Sequence, residues 1–72
     1  MREMSRIIIE EYCFSHNSKK SRRLWKLVTM SYDVTCECSE SDILFLDDLV
    51  YKEEDPEFRE ALKDLYDFMT GY

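Results

Sequence analysis

Three cysteines and one histidine are the residues of this 72-residue chain with the most specific potential chemistry. Cys13-Phe14-Ser15-His16 and Cys36-Glu37-Cys38 hold every thiol and the only imidazole, a nominal Cys3His set of the kind zinc takes. Spacing argues against it. Structural zinc sites favour a C-x2–4-C pair, and Cys36 and Cys38 flank a single residue. If the two groups lie on the arms of a β-hairpin, as the periodicity below predicts, roughly 13 residues at about 3.4 Å each hold them over 40 Å apart. Small core-facing cysteines and a loop histidine are the preferred reading. No metal and no cofactor is expected.

Nucleophilic catalysis fares no better. His16 would be the only base, no glycine frames a serine or cysteine beside it, and no third group is placed to orient it. The many carboxylates include no pair marked by burial for separate acid and base roles. An enzyme is not expected.

Two charged features remain. Lys19-Lys20-Ser21-Arg22-Arg23, followed by Trp25, could grip phosphates while a base stacks on the indole. The preferred reading is a solvated loop tip with a packed tryptophan, and because the acidic half repels a nucleic-acid backbone, direct nucleic-acid binding is not expected. The second feature is acidic. Glu57, Glu60, Asp64 and Asp67 are spaced to fall within an arc of roughly 80° on a helix and to run about 15 Å along it. An amphipathic helix showing its polar side explains most such patterns. Here, however, Asp64 and Asp67 fall in the last turns, where the helix dipole disfavours negative charge, and Glu60 and Asp64 are a like-charged i,i+4 pair. With Asp47, Asp48, Glu53, Glu54 and Asp55 they form an extended negative surface, to which Tyr51 adds an aromatic anchor. Reversing Glu57, Glu60, Asp64 and Asp67 to lysine is expected to abolish partner binding and leave the fold intact.

The elements that would carry these groups follow from periodicity. Residues 4–14 are rich in β-branched and aromatic types and read as a strand, with Ile7, Ile9 and Cys13 on one face. Residues 15–21 read as a polar loop. Residues 23–38 read as a second strand, because Val28, Met30, Tyr32, Val34, Cys36 and Cys38 alternate with polar residues. The period then changes. Ser39 and Asp42 stand at capping-box spacing before a helix over 42–52, with Ile43, Leu46, Leu49 and Val50 on one side. Residues 43–46 alone would also suit a strand. Asp55-Pro56 opens a second helix over 56–69, Phe58, Leu62, Leu65 and Met69 form its stripe, and Gly71 suits its end. The expected fold is α+β, β-β-α-α, with two helices on an antiparallel hairpin. Two strands leave two unpaired edges, so self-association through an edge strand, or acceptance of a partner's strand, is expected.

Size and charge set the function classes. The length suits one domain, 1–72, and leaves little room for a cleft or cofactor module. At 44% hydrophobic residues it should fold, and one glycine leaves no phosphate-cradling loop. Residues 1–32 hold seven bases and three acids, a net of +4; residues 33–72 hold three bases and thirteen acids, a net of −10. Such a dipolar surface steers encounters with charged partners. The apolar run Ile7-Ile8-Ile9 is too short for a signal peptide or a membrane helix, and an odd cysteine count excludes a fully paired disulfide set. A cytoplasmic protein is expected.

The function expected is that of a small acidic inhibitor or regulator docking on a basic, nucleic-acid-binding surface of a partner protein. Counter-defence proteins of phages, anti-CRISPR inhibitors among them, are a class that fits by size and charge. The alternatives are a nucleic-acid-binding module built on the basic run and a plain dimeric structural module.

Overall fold

The computed structural model describes residues 1–30 and 39–71. Four helices are present among them: α1 (Glu3–Ser15), α2 (Lys19–Met30), α3 (Glu40–Lys52) and α4 (Pro56–Thr70). The described residues contain no strand, so the expected α+β hairpin over 4–14 and 23–38 is not formed; both of its described parts are helical. The described residues therefore supply no edge strand for self-association.

In α1 the buried positions are Ser5 and Ile9, and Ile8, Tyr12 and Cys13 pack against the core. That is an i, i+3, i+4, i+7, i+8 stripe, a helical period. Alternation would have placed Ile7 and Ile9 on one face, yet Ile7 is 37% exposed and Ile9 fully enclosed. An isoleucine costs at most about 0.7 kcal/mol against alanine in a helix, whereas enclosing its side chain is worth about 1.5–3 kcal/mol. Local β preference therefore decides little once a core is available.

The turn before α2 is shorter than the expected loop over 15–21, because Lys19-Lys20-Ser21 already belongs to the helix. The Ser21 amide donates to the Ser18 hydroxyl (3.2 Å) and the Ser18 amide donates to the Ser21 hydroxyl (2.9 Å). This is the reciprocal geometry of a capping box with serine in place of glutamate. The Ser21 hydroxyl also donates to the His16 carbonyl at 2.6 Å, closing the turn. Ser21, Leu24, Leu27 and Val28 are the buried positions of α2. The alternating run that suggested a strand lies mostly in residues 31–38, outside the described residues, and its described part, Val28 to Met30, is helical.

The two C-terminal helices stand where periodicity and caps place them. Ser39 caps α3 and Asp42 completes the box, accepting from the Ser39 amide at 3.4 Å. At α4 the Asp55 carboxylate accepts from the Glu57 amide (3.0 Å), Pro56 opens the first turn, and Gly71 ends the helix at φ 88°, a left-handed conformation suited to glycine.

Helix α1 packs on α2 and on α4, and α4 packs on α3. The core they share is built from Ile9, Leu24, Leu27, Val28, Leu46, Leu49, Phe58, Ala61, Leu62 and Leu65. Arg23 joins α2 to the start of α3: its guanidinium donates to the Ser41 carbonyl (3.2 Å), the Ser41 hydroxyl (2.9 Å) and the Asp42 carboxylate (3.3 Å) and lies 4.4 Å over the Phe45 ring. Burial alone would raise the Asp42 carboxyl; hydrogen bonds from Ser39 and Arg23 outweigh it and hold the group below its ordinary value. Among the described residues no helix is long and apolar enough to cross a membrane.

Candidate functional site

The acidic ridge of α4 does not stand free along its length. It borders the seam with α1, and the start of α1 is fastened to it. The Asp64 carboxylate accepts from the Ser5 hydroxyl at 2.6 Å and from the Arg2 guanidinium at 2.5 Å, while Arg2 also reaches Glu60 at 3.2 Å. Ser5 is buried, so its hydroxyl depends on this bond. Hydrogen bonds from Ser5 and then Arg2 hold the Asp64 carboxyl below the usual carboxylate range, and the bond to Asp64 likewise raises Arg2. Asp67 is half-buried beside Met1 and Arg2, and Glu57 remains exposed. Asp64 thus serves the fold, with the exposed Glu60 as a second partner of Arg2, so a four-lysine reversal that includes Asp64 is expected to cost stability. The unfavourable placement of Asp64 late in α4 has its compensation in Arg2 and Ser5.

Two residues of the α3–α4 turn also have local work. Glu53 accepts from the Asp55 amide at 3.1 Å, and Asp55 caps α4. Glu54 is exposed.

The free acidic surface lies instead on the outer side of α3. Glu40, Leu44, Asp47 and Tyr51 recur at i, i+4, i+7 and i+11 and all are exposed, with Asp48 beside them. Leu44 is 62% and Tyr51 81% exposed, two apolar side chains seven residues apart, about 10 Å along the helix. Asp48 pairs with Lys52 at 3.1 Å, whereas neither Asp47 nor Glu40 enters an ion pair among the described residues. Asp47, Asp48 and Tyr51 are expected from sequence. Leu44 is not, although the stripe of Ile43, Leu46, Leu49 and Val50 already leaves it off the buried side of the helix.

The basic run divides as well. Lys20 is turned onto the Tyr12 ring, 5.5 Å from its centroid, and Arg23 holds α3. Lys19, Arg22 and Lys26 remain exposed on the outer side of α2. Trp25 stands beside them, its ring 5.0 Å from that of Phe14 at the end of α1.

Cys13 and His16 of the nominal zinc set lie near the α1–α2 turn, while Cys36 and Cys38 lie outside the described residues. The His16 ring stacks on Tyr12 (centroids 4.1 Å, 21° between planes), with its Nδ1 3.0 Å from the Tyr12 carbonyl. Burial, with Glu10 nearby, pushes the Cys13 thiol up, away from the reactive thiolate. Among the described residues no group of three or more histidine, cysteine or acidic side chains is arranged to hold a metal.

These surfaces define a small helical domain of opposed charge. No protein family matches the chain, and neither a curated protein nor a solved structure is similar to it.

Proposed function

We propose that this protein is a small binding protein, acting without catalysis, that lays the outer face of α3 on a basic, nucleic-acid-binding surface of a partner protein and thereby inhibits or regulates that partner. The observation that carries the reading is the pairing of exposed Leu44 and Tyr51 with Asp47 and Asp48 on one helix face. Isolated exposed apolar residues are ordinary, but two on one stripe among carboxylates match the anchors and polar rim of a helix that docks in a groove. Residues 39–71 hold eleven acids and three bases, so the field around that face favours a cationic partner. Small acidic counter-defence inhibitors such as anti-CRISPR proteins share this size and charge.

The test is affinity capture from a nuclease-treated lysate of the native host, using the wild-type chain beside the double variants Leu44→Ala/Tyr51→Ala and Asp47→Lys/Asp48→Lys. Wild type should retain a nucleic-acid-handling protein, each variant should retain at least tenfold less, and excess nucleic acid should displace it. Equal retention by the variants, indifference to added nucleic acid, or an eluate holding bait alone would each remove the reading. The altered side chains are exposed, so thermal melts should stay within about 0.5 kcal/mol of wild type.

A further inference from the structure

The junction of α1 and α2 carries a second surface, independent of the α3 reading. The end of α1 and the first two turns of α2 enclose a cleft of about 390 Å³, lined among others by Phe14, Asn17, Ser21, Arg22 and Trp25. Phe14 is 77% and Trp25 39% exposed, and neither belongs to the core. Two large rings held 5.0 Å apart at the surface, tilted at 53°, keep aromatic area available to a ligand.

The charge that α2 brings to the cleft has one sign, although Glu10 of α1 lies near Cys13 on the opposite wall. Helix α2 contains five cationic residues and no acid. Lys19, Arg22 and Lys26 follow i, i+3, i+7, an arc of roughly 60° over about 10 Å of helix. No ion pair among the described residues involves any of the three. The other two cations of the helix are committed inward, Lys20 to the Tyr12 ring and Arg23 to α3.

We infer that this junction binds single-stranded nucleic acid, with a base stacked against Phe14 and Trp25 in the cleft and the backbone running along Lys19, Arg22 and Lys26. Aromatic faces beside a cationic track are the elements of sequence-tolerant strand binding. A stack in the cleft needs an unpaired base, which a duplex does not offer without opening. The partner is therefore a strand, and the binding should show little sequence preference.

Trp25 is the only tryptophan of the chain, so its fluorescence reports on the cleft directly. The whole protein is titrated with a thymidine oligodeoxynucleotide, a uridine oligoribonucleotide and inorganic polyphosphate. Either oligonucleotide should quench Trp25 saturably, with log affinity falling against log salt at a slope of about −2, as three contacts to a single strand require. Reversal of the stripe (Lys19→Glu, Arg22→Glu, Lys26→Glu) should weaken binding at least tenfold. Phe14→Ala, which retains the fluorophore, should weaken it by roughly tenfold. Lys20→Gln should leave it unchanged. Stronger quenching by one oligonucleotide assigns the strand as DNA or RNA and supports the inference either way. Absence of quenching by both, an unaltered titration in the reversed variant, or equal quenching by polyphosphate would overturn it. Circular dichroism confirms that each variant remains helical.

Discussion

Replacing Ile9 by alanine should lower the unfolding free energy by about 3 kcal/mol, while the same change at Ile7 should cost no more than about 1 kcal/mol. The two residues differ by two positions and would share a face in a strand. In α1 they are about 160° apart, counting two positions in the other direction around the helix. Ile9 is fully enclosed in the cluster with Leu24, Leu62 and Leu65, so truncation leaves a cavity as well as losing the transferred methylenes. Ile7 is only partly covered, with 37% of its area left in solvent, so less is lost on truncation. At roughly 0.05–0.15 kcal/mol per residue a domain of this size has about 4–11 kcal/mol of stability in all, so the Ile9 variant should melt many degrees lower. Urea denaturation of the two variants is the check. Equal costs would return residues 4–14 to the strand reading.

The second large effect concerns Asp64. Alanine there removes two charge-assisted hydrogen bonds and strands the buried Ser5 hydroxyl, a loss of about 2 kcal/mol. Lysine adds an ammonium against the Arg2 guanidinium and should cost about 3 kcal/mol, whereas Glu57→Lys on the same ridge should stay within about 0.5 kcal/mol. The pH dependence has a definite sign. The folded-state pKa of Asp64 is lowered, so its stabilisation is complete above the unfolded carboxyl value of about 3.9 and is lost as pH falls through the lower folded value. Wild type should therefore lose stability faster than Asp64→Asn on acidification below about pH 4. Parallel acid limbs for the two proteins would show that the carboxylate does not hold α1 to α4.

The C-terminal half was legible because its signals are local and concordant. Ser39 with Asp42 and Asp55 with Pro56 mark helix starts, Gly71 marks an end, and the stripe of Phe58, Leu62 and Leu65 keeps one period throughout. The N-terminal half carried a conflict between levels. Ile7-Ile8-Ile9 favours a strand by residue type, while Ser5, Ile9 and Tyr12 favour a helix by spacing, and burial of one stripe settled it. In α2 the helical stripe of Ser21, Leu24, Leu27 and Val28 begins inside a stretch whose serines and lysines suggest a loop.

The candidate sites were legible as charge and not as geometry. Composition locates acids in one half and bases in the other. It does not show that Asp64 belongs to Arg2, sixty-two residues away, or that Arg23 belongs to Ser41. Those contacts depend on which helices are neighbours. They draw Asp64, Lys20 and Arg23 into contacts within the fold, pair the still exposed Glu60 with Arg2, and leave Asp47, Tyr51, Lys19, Arg22 and Trp25 on the free surfaces. Leu44 and Phe14 complete the two surfaces because helical phase turns them outward.

The most direct measurement is site-specific photo-crosslinking in a nuclease-treated host lysate, with the photoreactive residue placed in turn at positions 44, 51 and 4. The first two lie on the outer face of α3, and Met4 is exposed on α1. Docking through α3 predicts a covalent adduct to one nucleic-acid-handling protein from positions 44 and 51, suppressed by added nucleic acid, with none from position 4. An adduct of equal yield from position 4, or none from position 44, would contradict it.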